Sequence, residues 1–167
     1  SDKNRVDIST AVKIYMHNIS DNYFLRKNDL VFRSRGIDST AAIMDISSYN
    51  IILSAPFQRI RLRDTSKIIP EYLLWYINCK EAQAYFAANK TGSSLVMIST
   101  AVLANLPVVI PSLEIQKKII EINYLSGREI ELQEELIKKK KMLTETLLLK
   151  TLELQLGDKY GKRNSEN

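Results

Sequence analysis

The sequence comprises 167 residues, of which 45% are hydrophobic and 26% charged, which is typical of one folded domain or of one domain with an appendage. No stretch approaches the roughly 18 uninterrupted apolar residues needed for a transmembrane helix, and residues 1–6 are polar and charged, unlike a signal peptide. Because Cys79 is the only cysteine, neither a disulfide framework nor a cysteine-based metal site can form within the chain, and we expect a cytoplasmic protein without membrane association.

The net positive charge is concentrated in the first two thirds of the chain. The net charge is +5, and residues 1–111 hold 13 Lys and Arg against 9 Asp and Glu. Between positions 26 and 63 there are seven cations, of which six are arginine, and three aspartates. Arginine is suited to bidentate contacts with phosphate or guanine, so this region is the candidate for nucleic-acid contact.

Short apolar runs separated by Asn, Asp, Gly and Ser predict strands and turns from about Tyr23 to Arg63. The candidate strands are 30–32, 42–44, 51–53 and 57–62. In the last of these, Arg59, Arg61 and Arg63 alternate with apolar residues and therefore share one face. That face could be an ordinary solvated strand face or a surface that contacts DNA phosphates, and the pattern favours neither.

Helical patterns dominate after Pro70. Residues 70–89 predict one helix, in which Trp75 is expected to be a packing residue. A polar segment follows it, which is either an ordinary turn or a loop that holds a phosphate through Lys90, Thr91, Gly92 and Ser93. Ser99 is expected to cap a short helix to about residue 105, and residues 106–110 are expected to form a strand that ends at Pro111.

A long amphipathic helix is predicted over 112–156, with Ser112 as N-cap, followed by a flexible polar tail over 157–167. Six leucines recur at intervals of 7 and 4 residues: Leu125, Leu132, Leu136, Leu143, Leu147 and Leu154. The resulting 11-residue repeat predicts a nearly straight stripe, with ion pairs such as Glu134–Lys138 and Glu135–Lys139 on the other faces. Such a helix would be about 67 Å long, so its own domain could not cover the whole stripe, which therefore needs a partner.

Three motifs, in this order and spacing, resemble one family. They are Asn28-Asp29-Leu30-Val31-Phe32-Arg33-Ser34-Arg35-Gly36, then Gly92-Ser93 ahead of Ile98, then Leu106-Pro107-Val108-Val109-Ile110-Pro111-Ser112-Leu113-Glu114-Ile115-Gln116-Lys117-Lys118-Ile119. They are similar to the target recognition domain and conserved helix of type I restriction-modification specificity subunits. The most specific signal is the Pro-x-Leu-x-x-Gln-x-x-Ile element that opens the long helix.

The resemblance implies an α+β chain with three parts: a small mixed DNA-binding domain over 1–111, the spacer and dimerisation helix over 112–156, and the tail. The helix would form an antiparallel coiled-coil-like pair with a partner helix, from a second copy or a second specificity half. Double-stranded DNA would be bound at one half of a split target, and adenine methyltransferase subunits would dock and recruit a restriction subunit. The DNA-binding candidates are Arg33, Ser34, Arg35, Arg59, Arg61, Arg63, Lys90, Thr91, Gly92 and Ser93.

The chain departs from the family at its start, which is shorter than usual, as expected of a fragment, an isolated domain or a half-subunit. Its scattered glycines and the absence of an Asn- or Asp-Pro-Pro-aromatic element argue against a methyltransferase, and His17 has no acid-base motif beside it. We therefore expect no catalytic residue, cofactor or metal. The alternative function is a helical protein-interaction module without specific DNA binding.

Overall fold

The computed structural model describes residues 4–9, 11–36, 38–46, 50–91 and 97–161, with side chains up to residue 154. The elements in chain order are a 3-10 turn (Asp21–Tyr23), β1 (Leu30–Arg33), β2 (Ala41–Ile43), β3 (Phe57–Ile60), α1 (Pro70–Asn78), α2 (Lys80–Asn89), α3 (Thr100–Ala104) and α4 (Leu113–Gly161). The predicted α+β class is confirmed. By its contacts the chain divides into two compact units, Ser1–Glu121 and Ile122–Asn167.

The three strands form an antiparallel sheet in the order β2-β1-β3. Leu30 and Phe32 of the central strand belong to the main core, together with helix residues such as Ile77 and Phe86. Val31 points to the opposite face and packs in a second, smaller cluster with Leu25 and Met44. Since both faces of β1 are covered, its first three residues are buried and only Arg33 is exposed.

The helix predicted over 70–89 is two helices, because the chain is extended at Cys79 (φ −73°, ψ 162°). Tertiary hydrogen bonds stabilise this break. The side-chain amide of Asn78 donates to the carbonyl of Ala41 at 2.9 Å, and its oxygen accepts from the Ala41 N–H at 2.8 Å. Gln83 in turn donates to the carbonyl of Ile77 at 2.8 Å, which would otherwise be a helix acceptor.

Two predicted strands are wrong in the described structure. Residues 106–110 are not part of the sheet; tyrosine hydroxyls of α1 bind their carbonyls instead, from Tyr72 to Val109 at 2.7 Å and from Tyr76 to Pro107 at 2.9 Å. Side-chain donors thus replace the strand partner that this segment would need. The 51–53 candidate contributes one isolated bridge, between Phe24 and Ile52.

Helix α4 begins one residue after Ser112, whose hydroxyl accepts a long hydrogen bond of 3.5 Å from the N–H of Ile115. The buried Gln116 holds this first turn in unit 1: it accepts from the N–H of Ile69 at 2.9 Å and donates to the carbonyls of Lys67 and Pro111 at 2.7 and 2.9 Å. The helix continues to Gly161, so residues 157–161 are helical rather than part of the predicted tail, and 162–167 lie outside the described residues. None of the helices in the described chain is long and apolar enough to cross a bilayer.

Candidate DNA interface

The end of β1 presents two exposed arginines on either side of a buried serine. Ser34 is held by the carbonyl of Pro56, which accepts from its N–H at 2.9 Å and from its hydroxyl at 2.6 Å. Arg33 and Arg35 therefore project outward from an anchored backbone. The guanidinium of Arg33 lies 6.0 Å from the centroid of the Phe57 ring, at the limit of a cation–π contact.

Gly36 follows at φ +120°, a backbone conformation that other residues rarely adopt. A Cβ at this position would also lie 3.9 Å from Cδ of Arg33. The glycine thus allows the chain to turn immediately after Arg35.

A ladder of two bridges brings the two predicted DNA-binding segments together. Met97 pairs with Arg35 on one side and with Thr91 on the other, and the N–H of Ile98 donates to the carbonyl of Ser34 at 2.8 Å. Arg35 and Thr91 consequently lie on the two extended segments that flank Met97, although they are far apart in sequence. Lys90 is exposed beside them, whereas Gly92 and Ser93 lie outside the described residues.

Gln58 is a contributor that the sequence patterns did not identify. It occupies the inward face of β3 opposite Phe32, and its amide donates to the carbonyl of Ile98 at 3.2 Å. Its Oε1 atom is buried and has no hydrogen-bond partner among the described residues. A polar residue at an inward strand position is the signal that could have pointed to it.

The arginines that follow Phe57 have different environments. Arg59 lies opposite Val31 on β3, and its guanidinium donates to the carbonyl of Asn22 and, at 3.3 Å, to that of Phe24. Arg61 lies just beyond the strand end at Ile60 and is partly buried.

Arg61 forms a bidentate ion pair with Asp29, with Nε–Oδ1 at 2.7 Å and Nη2–Oδ2 at 2.6 Å. Its Nη2 also donates to the carbonyl of Phe24 at 2.9 Å, and the hydrogen bonding to Asp29 raises the pKa of Arg61 above its ordinary value. Arg63 is exposed, and no side-chain hydrogen bond holds it among the described residues. The predicted DNA contacts of these three arginines stay predictions, but Arg59 and Arg61 already bind their own chain.

Asp29 is the second residue that sequence reasoning did not single out as a site residue. Its side chain is only 2% exposed, and it accepts from the N–H of Arg26 at 2.7 Å in addition to Arg61. The preceding Asn28 has φ +71°, which Asn tolerates better than most residues. An Asn-Asp pair ahead of a strand was the available signal for this turn.

On α4, all six leucines of the predicted stripe are exposed, from 49% at Leu132 to 74% at Leu154. Leu125, Leu132 and Leu136 line a shallow groove on the helix surface. The expected Glu135–Lys139 pair is formed, with Nζ 2.8 Å from Oε1, and it lowers the pKa of Glu135 and raises that of Lys139.

No group of three or more His, Cys, Asp or Glu within the described ranges is arranged to hold a metal ion. Comparison with protein families finds a match to the type I restriction modification DNA specificity domain over residues 2–144. Comparison with curated proteins finds no match.

Proposed function

Because the chain belongs to the family of type I restriction modification DNA specificity domains, we propose that it binds one half of a split DNA target for such a system. The observation that best supports this proposal is the ladder at Met97, which is bridged to Arg35 on one side and to Thr91 on the other. Two segments that the sequence indicates separately for DNA contact are thereby joined through Met97, and we call this three-segment surface the Arg35–Thr91 edge.

Within this edge, Arg33 and Arg35 are the main DNA-contacting residues. Both guanidiniums are exposed and have no ion pair among the described residues, so contact with DNA would cost no internal interaction beyond the stacking on Phe57. Ser34 positions the two arginines. Arg63, Lys90 and Thr91, with Gly92 and Ser93, extend the contact along the backbone of the duplex, where cations and small polar donors bind phosphates.

The long helix serves as the spacer and as the dimerisation element. The exposed stripe of leucines supports antiparallel pairing with a second copy of the chain or with a second specificity half, which would supply the recognition domain for the other half of the target. In this arrangement residues 1–111 bind DNA and 112–156 set the spacing. Adenine methyltransferase subunits and, through them, a restriction subunit dock on the pair and perform the catalysis, and this chain acts in the cytoplasm without catalytic residues of its own.

Changing Arg33 and Arg35 to Ala tests the DNA-binding assignment. If both contact phosphates, the slope of log affinity against log salt becomes shallower by nearly two units, because each contact contributes about 0.9. If one of them reads a base, discrimination against the wrong base falls by about 1–3 kcal/mol instead. The measurement is duplex binding by the full chain as a function of salt, for target and mixed-sequence duplexes.

A matched control is the double change of Lys80 and Lys117 to Ala, which removes two exposed cations from helices. It lowers the net charge equally and should leave the slope unchanged. An Arg33/Arg35 variant that kept wild-type affinity, slope and base discrimination would contradict the assignment.

The alternative function, a helical interaction module without specific DNA binding, is favoured by one observation: every described side chain from residue 122 to 154 is exposed. Under this alternative the chain would self-associate or bind a partner helix, yet show no salt-dependent affinity for any duplex. The same titration therefore separates the two functions.

A further inference from the structure

A tight turn precedes β1 and carries Arg26 and Lys27, two cations of the basic region that are not among the DNA-binding candidates named above. The N–H of Asp29 donates to the carbonyl of Arg26 at 3.0 Å, and the carboxylate of Asp29 accepts from the N–H of Arg26 at 2.7 Å. Asn28 has a left-handed backbone and donates to the carbonyl of Met44 at 2.8 Å. Arg26 and Lys27 thus lie at the exposed tip of a turn whose backbone is held on both sides.

Arg59 of β3 and Arg61, just beyond the end of this strand, stabilise the turn through hydrogen bonds. Arg61 neutralises Asp29 through two hydrogen bonds and also binds the carbonyl of Phe24, which Arg59 reaches as well. A buried carboxylate without this partner would be costly, so the pair is what permits Asp29 to hold the turn. Arg59 and Arg61 act here as positioning residues.

The turn lies on the same face of the sheet as Arg33. Val31 and Arg33 are two residues apart on β1 and therefore point to one face, and Val31 packs with Leu25 in the second core cluster. Arg59, opposite Val31, reaches the 22–24 backbone from this face too. The segment that leads into the turn and the side chain of Arg33 are consequently on one face of the sheet.

The charge around the turn is positive. Among the described residues, neither Arg26 nor Lys27 makes a side-chain hydrogen bond or a close ion pair. Lys27 acts electrostatically on the acid Asp45. The pKa of Asp45 is lowered mainly by its hydrogen bond with Arg5, at 2.7 Å, and to a smaller extent by the charge of Lys27. Because Arg61 pairs with Asp29 and Arg5 pairs with Asp45, neither acid forms a close ion pair with Arg26 or Lys27 in the described part of the chain.

We propose that the Arg26–Asp29 turn is a second phosphate-contacting element of this protein, with Arg26 and Lys27 as the contacts and Arg61 as the residue that positions them. The proposal rests on the proposed DNA-binding function and extends it to residues outside the Arg35–Thr91 edge. A turn with a fixed backbone loses little conformational freedom when its cations bind, which favours phosphate contact.

The spacing is compatible with one duplex. From Leu30 to Arg33 the strand rises about 10 Å, and each DNA strand carries a phosphate about every 3.4 Å along the axis. The turn and the end of β1 would therefore contact the backbone about three or more base pairs apart. Two separated contacts on one face fix the orientation of the domain on the duplex better than one contact does.

The test is the double change of Arg26 and Lys27 to Ala in the full chain, with a short mixed-sequence duplex as probe. Between roughly 50 and 200 mM salt, each phosphate contact accounts for about a threefold loss of affinity. The factor by which affinity falls over this interval should therefore be about tenfold smaller for the variant than for the wild type. Affinities for two mixed-sequence duplexes of unrelated sequence should fall by the same factor. As a control, the double variant Arg26→Lys and Lys27→Arg keeps both positive charges and should therefore keep the wild-type slope.

The control is again the change of Lys80 and Lys117 to Ala, for which no change in slope is expected. If the wild type binds DNA with a steep salt slope and the Arg26/Lys27 variant has the same slope and affinity, the turn makes no phosphate contact and the proposed function stands. If the wild type itself shows no salt-dependent binding, the proposed function and this inference both fail.

Discussion

The arginines between positions 26 and 63 differ in what surrounds them rather than in type. Arg33 and Arg35 are exposed at the end of a strand, whereas Arg61 binds a carboxylate that is 2% exposed. An arginine that already makes three hydrogen bonds to its own chain would have to give them up to contact phosphate, and that exchange brings little gain. These surroundings support the proposal that Arg33 and Arg35 contact DNA, whereas Arg61 supports the fold.

This assignment predicts how stability responds at the Asp29–Arg61 pair. Changing Arg61 to Gln leaves the buried carboxylate unpaired and should lower the free energy of unfolding by about 3 kcal/mol, the lower end of the range for a buried pair because Arg61 is still partly exposed. The additional change of Asp29 to Asn removes that charge and should restore most of the loss. Urea unfolding followed by Trp75 fluorescence measures both variants.

The same double variant also distinguishes positioning from direct contact with DNA. With Asp29 as Asn and Arg61 as Gln, the salt slope of duplex binding should equal that of the wild type. A slope shallower by about one unit would show that Arg61 itself binds a phosphate.

Among the elements, α1 and α2 and the 106–110 segment differ from the sequence patterns for the same kind of reason. The patterns of 70–89 are helical throughout, yet the chain is extended at Cys79, where Gln83 donates to the carbonyl of Ile77 in place of a helical N–H and Asn78 binds the backbone of Ala41 in β2. The apolar residues of 106–110 suit a strand, yet Tyr72 and Tyr76 donate to its carbonyls. In both places side chains satisfy backbone carbonyls that regular local structure would otherwise have paired.

At α4 the leucine stripe leads to a prediction about association. Changing Leu136 and Leu143 to Lys should weaken self-association or partner docking by about 100-fold or more, since each buried leucine contributes about 1.5 kcal/mol or more. The N-terminal domain should remain folded because neither residue belongs to its core. Sedimentation of the full chain measures the oligomeric state.

The matched control for this variant is Leu149 and Leu152 changed to Lys. Both are as exposed as the stripe leucines, but at 3.6 residues per turn they lie on other faces of the helix. If the two variants weaken association equally, or if neither does, the stripe is not the interface.

For the whole molecule, the division into two units leads to a prediction about thermal unfolding. The only tryptophan, Trp75, belongs to the unit that holds both core clusters, while most of α4 belongs to the other. If α4 is stabilised by pairing, the melting temperature reported by helical circular dichroism should rise with protein concentration, and the transition reported by Trp75 should shift much less. Coincident, concentration-independent transitions would argue that α4 is stable without a partner.

The α+β class, the start of the long helix and the 11-residue spacing of its leucines followed from the sequence alone, because they depend on local periodicity and on short motifs. The family resemblance also followed from contiguous motifs, and the match over residues 2–144 confirms it. Gln116 could be located as part of such a motif. The sequence could not show that Gln116 is buried and binds the backbone of Lys67 and Ile69, because those partners are nearly 50 positions away.

Only the tertiary structure decided which arginines remain available to a ligand. Arg59, Arg61 and Arg63 are equivalent in an alternating pattern, but they differ once Asn22, Phe24 and Asp29 lie against them. The same applies to the meeting of Arg35 and Thr91 at Met97. Hydrogen bonds and ion pairs between segments 30 or more residues apart leave no trace in local periodicity, and they determine the charge that this surface presents.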